Sequence, residues 1–407
     1  MSQRVLVFDT TLRDGEQAPG FSMRIDEKLR LARAVESLGV DVIEAGFPMA
    51  SEDDAEAVRR IAVVIERSSV AALARCSPVD IDRAAHALAP ARRPRIHTFI
   101  ATSDLHLQRK LNMTRRECRH AATAAVSRAR GYVADVQFSA EDATRSDPDF
   151  LCQVIEAVID AGATTINLPD TVGYSTPDEI GEFFQRTIAR IPNADKIVFS
   201  THCHDDLGLA AANSLSAIGA GATQVECTIN GIGERAGNAA LEEIVMAMLV
   251  RRDRYAYETN INTRELFAAS QLLTTLTGEP VQANKAVVGR NAFAHEAGIH
   301  QDGMLKDRRT YEIMRPEDVG VPRTSLVLGK HSGRHAVQKH CADLGWHLGR
   351  QQLDQVYRRM IALADRQKHV SDHDLSGIVE DLCGPARRVI GIEASDHDHE
   401  VGYGFGV

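Results

Sequence analysis

The chain has 407 residues, 44% hydrophobic and 25% charged, ordinary globular values that exclude a disordered or fibrous protein. Its formal net charge of -9, from 56 acidic and 47 basic side chains with no polybasic block, argues against nucleic acid or an anionic membrane as a partner. No stretch approaches the roughly 18 apolar residues of a membrane span, and Met1–Arg4 leads straight into a strand-like segment, so no membrane span and no signal peptide are expected.

In chain order, short β-branched runs alternate with longer amphipathic stretches. The predicted strands are Val5–Phe8, Val42–Ala45, Val70–Leu73, Ile96–Ile100, Val136–Ser139, Thr165–Leu168, Ile197–Thr201 and Gln224–Thr228. Helical patterns lie between them, among them Asp26–Leu38, Pro148–Ala161, Pro177–Ile191 and Leu207–Gly219. Gly39, Gly131, Gly162 and Gly221 stand where a helix would end in a left-handed residue. Repeating units of about 30 residues match βα units, and eight of them in about 250 residues make an α/β protein of the (β/α)8 TIM-barrel class. A doubly wound open sheet is the runner-up, because periodicity does not show closure.

After Arg251 the alternation stops. Helical patterns cover Thr263–Leu276, Arg334–Leu344 and Gln351–Leu363, separated by a segment containing Gly289, Gly298 and Gly303. The expected organisation is a catalytic barrel over 1–255, a small, mostly helical subdomain over 256–394 and a fraying tail over 395–407. The seven cysteines are scattered, with no Cys-x-x-Cys, and read as reduced thiols of a cytoplasmic protein.

The residues able to carry chemistry collect after the predicted strands, at the rim where a barrel keeps its active site. His202-Cys203-His204 ends the seventh strand, and residues i and i+2 share a strand face, so both imidazoles can serve one metal ion. Taken alone, the tripeptide is as readily a pair of hydrogen-bonded histidines. Asp205 and Asp206 follow and could cap the next helix or orient the ligands. Asp9-Thr10-Thr11-Leu12-Arg13-Asp14-Gly15-Glu16-Gln17 follows the first strand, with a carboxylate next to a guanidinium; in isolation it is a salt-bridged turn. Asn230–Asn238 is a Gly-x-Gly-x-x-x-Gly loop, neither a dinucleotide fingerprint nor a phosphate loop. Ser139, Glu141, Asn167 and Thr171 fall on the same rim, and His97 points an imidazole toward the barrel mouth. The zincin-like His295-Glu296…His300 has its histidines five apart with Gly298 between them, so the metalloprotease reading is rejected. Together, Asp14, His202 and His204 would form a mixed N/O site able to chelate a 2-oxo acid and polarise its ketone.

Asp9–Gln17, His202–Asp206, Asn230–Asn238 and His295–Leu305 resemble the 2-isopropylmalate synthase family, whose wider relatives include homocitrate, citramalate and methylthioalkylmalate synthases and metal-dependent lyases. The resemblance runs from about Val5 to Val337, and Gly231–Asn238 lacks the cysteine that the lyase branch carries in this loop. It implies condensation of acetyl-CoA, as co-substrate, with a 2-oxo acid, expected to be 3-methyl-2-oxobutanoate; a homocitrate- or citramalate-synthase-like paralogue acting on another 2-oxo acid is the alternative. By resemblance, Asp14, His202, His204 and the amide oxygen of Asn238 hold a divalent metal (Mn, Mg or Zn), and Arg13 stabilises the developing alkoxide. His97, Ser139 and Thr171 would meet the substrate, and Gly231, Gly233, Glu234 and Gly237 would lie near the CoA thioester. His300 is assigned as the base that activates acetyl-CoA, oriented by Glu141, and Tyr311 assists it; a homodimer with shared active sites is implied. Family members typically carry a further leucine-binding domain of roughly a hundred residues, so this chain is expected to be either a naturally short, leucine-insensitive paralogue, the favoured reading, or a shortened piece of a longer protein. A non-haem Fe(II) oxygenase uses similar ligands but sits on an all-β jelly roll, and a purely sensing barrel or a lyase remain as competitors.

Overall fold

Eight strands form one sheet: β1 (Leu6–Asp9), β2 (Val42–Glu44), β3 (Ser69–Arg75), β4 (Pro94–Ala101), β5 (Asp135–Glu141), β6 (Thr165–Asp170), β7 (Val198–Cys203) and β8 (Gln224–Cys227). Neighbours in sequence pair in parallel, and Leu6 opposite Gln224 closes β1 onto β8, so the sheet is a barrel and the open-sheet alternative falls. These coordinates are a computed structural model describing residues 3–192, 194–322, 325–367 and 370–384. The eight expected strands are all present, displaced by one or two residues at their ends.

The strands read as nearly unbroken apolar runs because parallel strands in a barrel are covered on both faces. In β3 every residue from Ser69 to Ala74 is buried. Amphipathic helices cover the outside: α1 (Ile25–Leu38), α2 (Glu52–Val64), α3 (Pro78–Leu88), α4 (Arg115–Arg130), α5 (Pro148–Asp160), α6 (Pro177–Arg190), α7 (Ala210–Gly219) and α8 (Leu241–Val250). Their starts follow local chemistry. Thr114 and Glu117 form a capping box on α4, and Thr176 and Glu179 do so on α6, which has Pro177 in its first turn. Leu31, Leu38, Ile43, Ile61, Ile81, Leu88 and Ile96 are fully buried and belong to the main core.

Three of the four expected left-handed glycines have that conformation: Gly39, Gly162 and Gly221 at φ +97°, +108° and +114°. Gly131 does not. It stays right-handed at φ -67°, and Val133 N–H still donates to Ala129 O, so the chain leaves α4 by one more helical turn rather than by a reversal. The expected helix from Leu207 begins only at Ala210, because Asp205–Leu209 forms a turn with Gly208 at φ +72° and Asp205 Oδ1 accepting from Ala210 N.

Two compact units are distinguished: Met1–Ala292 with Met314–Arg323, and Phe293–Ile313 with Thr324–Val407. The first runs past the change of pattern near residue 255. Gln3–Arg4 pairs with Tyr257–Glu258, and α9 (Leu266–Thr277) lies against α1. The second contains α10 (Gly298–Lys306), α11 (Arg334–Asp343), α12 (Arg350–Ala364) and α13 (Asp372–Cys383). Its core gathers Val337, Trp346, Val356, Met360, Leu375 and Val379. The expected tail over 395–407 lies outside the described residues. No helix among the described residues is long and apolar enough to cross a membrane.

Candidate active site

The carboxyl ends of the parallel strands put their following loops on one rim. After β1 the chain turns sharply: Thr11 donates through N and Oγ1 to Asp9, at 3.1 and 2.8 Å, and Gly15 N–H donates to Thr10 O. That turn aims Arg13 and Asp14 inward. From the end of β7, His202 and His204 project together, their Nε2 atoms 3.2 Å apart, and His202 Nε2 is 3.9 Å from Asp14 Oδ2. All three residues are buried, and one ligand atom from each lies within 4.8 Å of the others.

A divalent ion fits this donor set on the structure's own terms. Two imidazole nitrogens and a carboxylate oxygen suit borderline metals such as Zn and Mn. Asn238 donates through Nδ2 to Asp14 Oδ1 at 2.9 Å, while its own Oδ1 is buried with no hydrogen-bond partner, as is His204 Nδ1. Burial raises the Asp14 carboxyl, but Arg13, His202 and His204 outweigh it and hold the group well below the usual carboxylate range. Burial, together with the charge on His202, lowers His204 to about 4, which leaves its ring neutral at physiological pH.

Arg13 is held at two points, Nη1 to Asp14 Oδ2 at 2.6 Å and Nε to Glu44 Oε2 at 2.7 Å. Glu44 also accepts from Thr10 Oγ1 at 2.7 Å and faces His97 Nδ1 at 2.6 Å. The other His97 nitrogen meets Ser139 Oγ at 2.6 Å, and Asn167 Nδ2 donates to the same hydroxyl at 2.9 Å. Burial would raise Glu44, yet Arg13 and His97 pull it down to about 2, so this carboxylate stays charged in the interior. The chain from Arg13 to Asn167 borders a cavity of about 250 Å³, a size for a small molecule. Phe47, Leu73, Phe99 and Pro169 supply its apolar lining, and Asp14, His202 and His204, the group that could hold a metal ion, also border it.

Glu141 and Thr171 line the same cavity. Glu141 is paired with Lys110 Nζ at 2.5 Å, and the Thr171 hydroxyl accepts from Asp142 N at 2.9 Å. The glycine loop packs against the candidate metal site. Glu234 N–H donates to Asp14 Oδ1 at 3.3 Å, and a Cβ on Gly233 would lie 2.0 Å from Asn238 Nδ2. Gly231 and Gly237 are both left-handed, at φ +71° and +99°, and a Cβ on Gly237 would lie 2.1 Å from Gly231 O. Asp205 caps α7, as one of the two expected readings had it, and Asp206 pairs with Arg235 at 2.8 Å. In the second unit, the His300 and Tyr311 rings lie 4.3 Å apart, centroid to centroid, and both are exposed.

Sequence reasoning passed over Glu44 and Glu226. Glu226 Oε2 meets His202 Nδ1 at 3.0 Å, a carboxylate–histidine pair of the kind that orients metal ligands. The available signal was a carboxylate inside a short apolar strand, Val42-Ile43-Glu44 and Gln224-Val225-Glu226-Cys227, where a charge needs a partner.

The chain matches the HMGL-like family over residues 4–273 and the homocitrate synthase post-HMGL domain-like family over residues 287–368. It is 58% identical over 379 residues to the 2-isopropylmalate synthase of Carboxydothermus hydrogenoformans, covering 93% of this chain and 74% of that protein. It is 59% identical over 377 residues to the 2-isopropylmalate synthase of Caulobacter vibrioides, covering 93% and 72%. Among solved structures, the hydroxymethylglutaryl-CoA lyase from Pseudomonas aeruginosa superposes with a TM-score of 0.59 at 20% identity, over 69% of this chain and 95% of that one. At that identity the likeness shows the fold alone.

Proposed function

The chain belongs to the 2-isopropylmalate synthase family, and we propose that it condenses acetyl-CoA with 3-methyl-2-oxobutanoate, giving 2-isopropylmalate and CoA, a step of leucine biosynthesis. It is an acyltransferase: the acetyl methyl carbon loses a proton and bonds to the ketone carbon, the ketone oxygen gains a proton, and water releases CoA from the thioester. The observation that carries this reading is the meeting of Asp14, His202 and His204 beside a small, partly apolar cavity.

Asp14, His202, His204 and the amide oxygen of Asn238 are the groups that would hold the divalent ion. Bound there, the ion supplies Lewis-acid polarisation of the substrate ketone. Arg13, already fixed by two carboxylates, would face the oxygen on which charge develops, a preorganised donor. His97, Ser139 and Thr171 would bind the 2-oxo acid. The base is assigned to His300, with Glu141 and Tyr311 assisting it in a homodimer that shares its active sites. Gly231, Gly233, Glu234 and Gly237 would lie by the acetyl-CoA thioester; a cavity of about 460 Å³ bordered by Gly231, Ala236 and Lys285 supports that placement. All seven cysteines are free, in keeping with a cytoplasmic enzyme.

The side-chain preference follows from the cavity lining. A second substrate carboxylate, as in 2-oxoglutarate, would need its own cation. Among the described residues, Arg13 is the only Arg or Lys lining the cavity, and it already serves Asp14 and Glu44. Phe47, Leu73 and Phe99 suit a branched alkyl group instead. The test is thiol release from acetyl-CoA with pyruvate, 3-methyl-2-oxobutanoate and 2-oxoglutarate, each with and without metal. The branched acid should be turned over fastest, and only with metal; a preference for 2-oxoglutarate would overturn the assignment.

A further inference from the structure

The interior of the barrel below the candidate metal site is crossed by a chain of buried polar side chains. Arg95 on β4 donates from Nη1 to Gln137 Oε1 on β5 at 3.1 Å and to Gln224 Oε1 on β8 at 2.8 Å, and from Nε to Asp135 Oδ2 at 2.9 Å. Gln224 Nε2 donates to Gln137 Oε1 at 2.9 Å and to Ser200 Oγ at 3.0 Å. Gln137 Nε2 donates to Glu226 Oε1 at 2.5 Å, and Glu226 Oε2 faces His202 Nδ1 at 3.0 Å. Arg95 is 5% exposed, Gln137 and Gln224 are fully buried and Glu226 is 1% exposed, so water does not reorder the chain.

Donor and acceptor rules give this chain a direction. A guanidinium only donates, so both glutamine amides must turn their oxygens toward Arg95 and their NH2 groups away. Gln137 therefore presents a donor to Glu226. An ionised carboxylate only accepts, so with Oε1 taken by Gln137 its Oε2 must accept from the imidazole. His202 then keeps a proton on Nδ1, and Nε2, beside Asp14 and His204, is the nitrogen left to offer its lone pair to a metal ion. His204 contrasts with it, since its Nδ1 has no partner. We propose that Arg95 is a positioning residue for the reaction, fixing the tautomer and ring orientation of His202 through Gln137 and Glu226 and so setting the affinity for the divalent ion. The proposal rests on the reading of His202 as a metal ligand, but its first readout needs no metal.

The test compares, in the full chain, wild type with Arg95→Met, which removes every donor at that end, and with Gln137→Leu, which cuts the relay but keeps the Arg95 contacts to Asp135 and Gln224. In metal-free protein labelled with 15N-histidine, at a pH high enough for the ring to be neutral, the His202 resonance, assigned by its loss in His202→Gln, should report the Nδ1–H tautomer in wild type. In both variants it should shift to a mixture with Nε2–H. Mn2+ affinity by titration should fall about tenfold or more in each, and Arg95→Lys, which restores donors, should recover part of it. If Arg95→Met fails to fold, Gln137→Leu carries the same test. Variants that fold while keeping both the wild-type His202 tautomer and the wild-type Mn2+ affinity would overturn the proposal. A tautomer change with unchanged affinity would overturn its metal-binding half, and if wild type itself bound no Mn2+, the reading of the metal site would fall while the tautomer result still judged the relay.

Discussion

The interior of the barrel and the core of the second unit are built on opposite plans. In the second unit, Val337, Trp346, Val356, Met360, Leu375 and Val379 fill the middle with apolar groups, and packing is their one evident task. Within the barrel, Arg95, Gln137, Gln224 and Glu226 form one hydrogen-bonded set inside the strands, and Glu44 and His97 form another. Barrels commonly fill that space with branched apolar side chains. Here the apolar burial that supports the fold lies between strands and helices, in residues such as Ile43, Ile61 and Ile96, and the interior is left for chemistry. The difference teaches that burial alone does not say what a residue is for: the partners of a buried side chain do.

Substitutions should separate the two plans. The largest loss is expected for Asp14→Ala, which removes a candidate ligand and the anchor of Arg13: turnover should drop by more than about a thousandfold, with metal lost, by thiol assay and metal analysis. Arg13→Met should come next. It leaves Asp14 and Glu44 without their shared cation and removes the donor proposed to face the ketone oxygen, a loss of about 10²–10³ in kcat. Met360→Ala in the second unit should lower unfolding stability by about 2–5 kcal/mol, measured by denaturant titration, because Met360 is fully buried among apolar neighbours. If Met360→Ala instead spared stability, the contrast between the two interiors would fail.

The smallest effect expected is on pH dependence. Burial raises the Asp9 carboxyl to about 7, against the lowering effect of the Thr11 hydrogen bonds, with Glu44 and Glu242 adding to the rise. Between pH 4 and 7 the folded state then holds a proton that the unfolded chain, with its carboxyl near 3.8, has released. This group therefore makes stability fall as pH rises through that window. Asp9→Asn should flatten the decline, read as the difference in melting temperature between variant and wild type at pH 5 and pH 8.

Much of this architecture was legible from the chain. The βα alternation predicted each strand because a parallel barrel buries both strand faces and so demands apolar runs, and the His202–His204 spacing brought both imidazoles to one face. Closure could not be read, since it depends on Leu6 meeting Gln224 more than two hundred residues away. Helix α13 was missed although Ser371 and Asp374 form its capping box and Leu375, Ile378, Val379 and Leu382 recur at helical spacing. The short Gly-containing stretch concealed that period. Gly131 was misread because a glycine after a helix allows a left-handed turn but does not require one. Glu44 and Glu226 escaped because their partners, Arg13, His97 and His202, come from other strands or the turn after β1, and no local pattern announces such pairs.

The glycine loop has a consequence for anyone wishing to redesign substrate choice. Its backbone runs so near Asn238 and Asp14 that even a single methyl at Gly233 has no room, and Gly237 is likewise closed off by the carbonyl of Gly231. A side chain added at either glycine would therefore push on the loop that carries Asn238 and on the groups proposed to hold the metal. Tolerance for bulkier or smaller acids is instead to be sought in the apolar lining of the substrate cavity, at Phe47, Leu73 and Phe99, where trimming a ring or a branch changes volume without touching Asp14, His202 or His204.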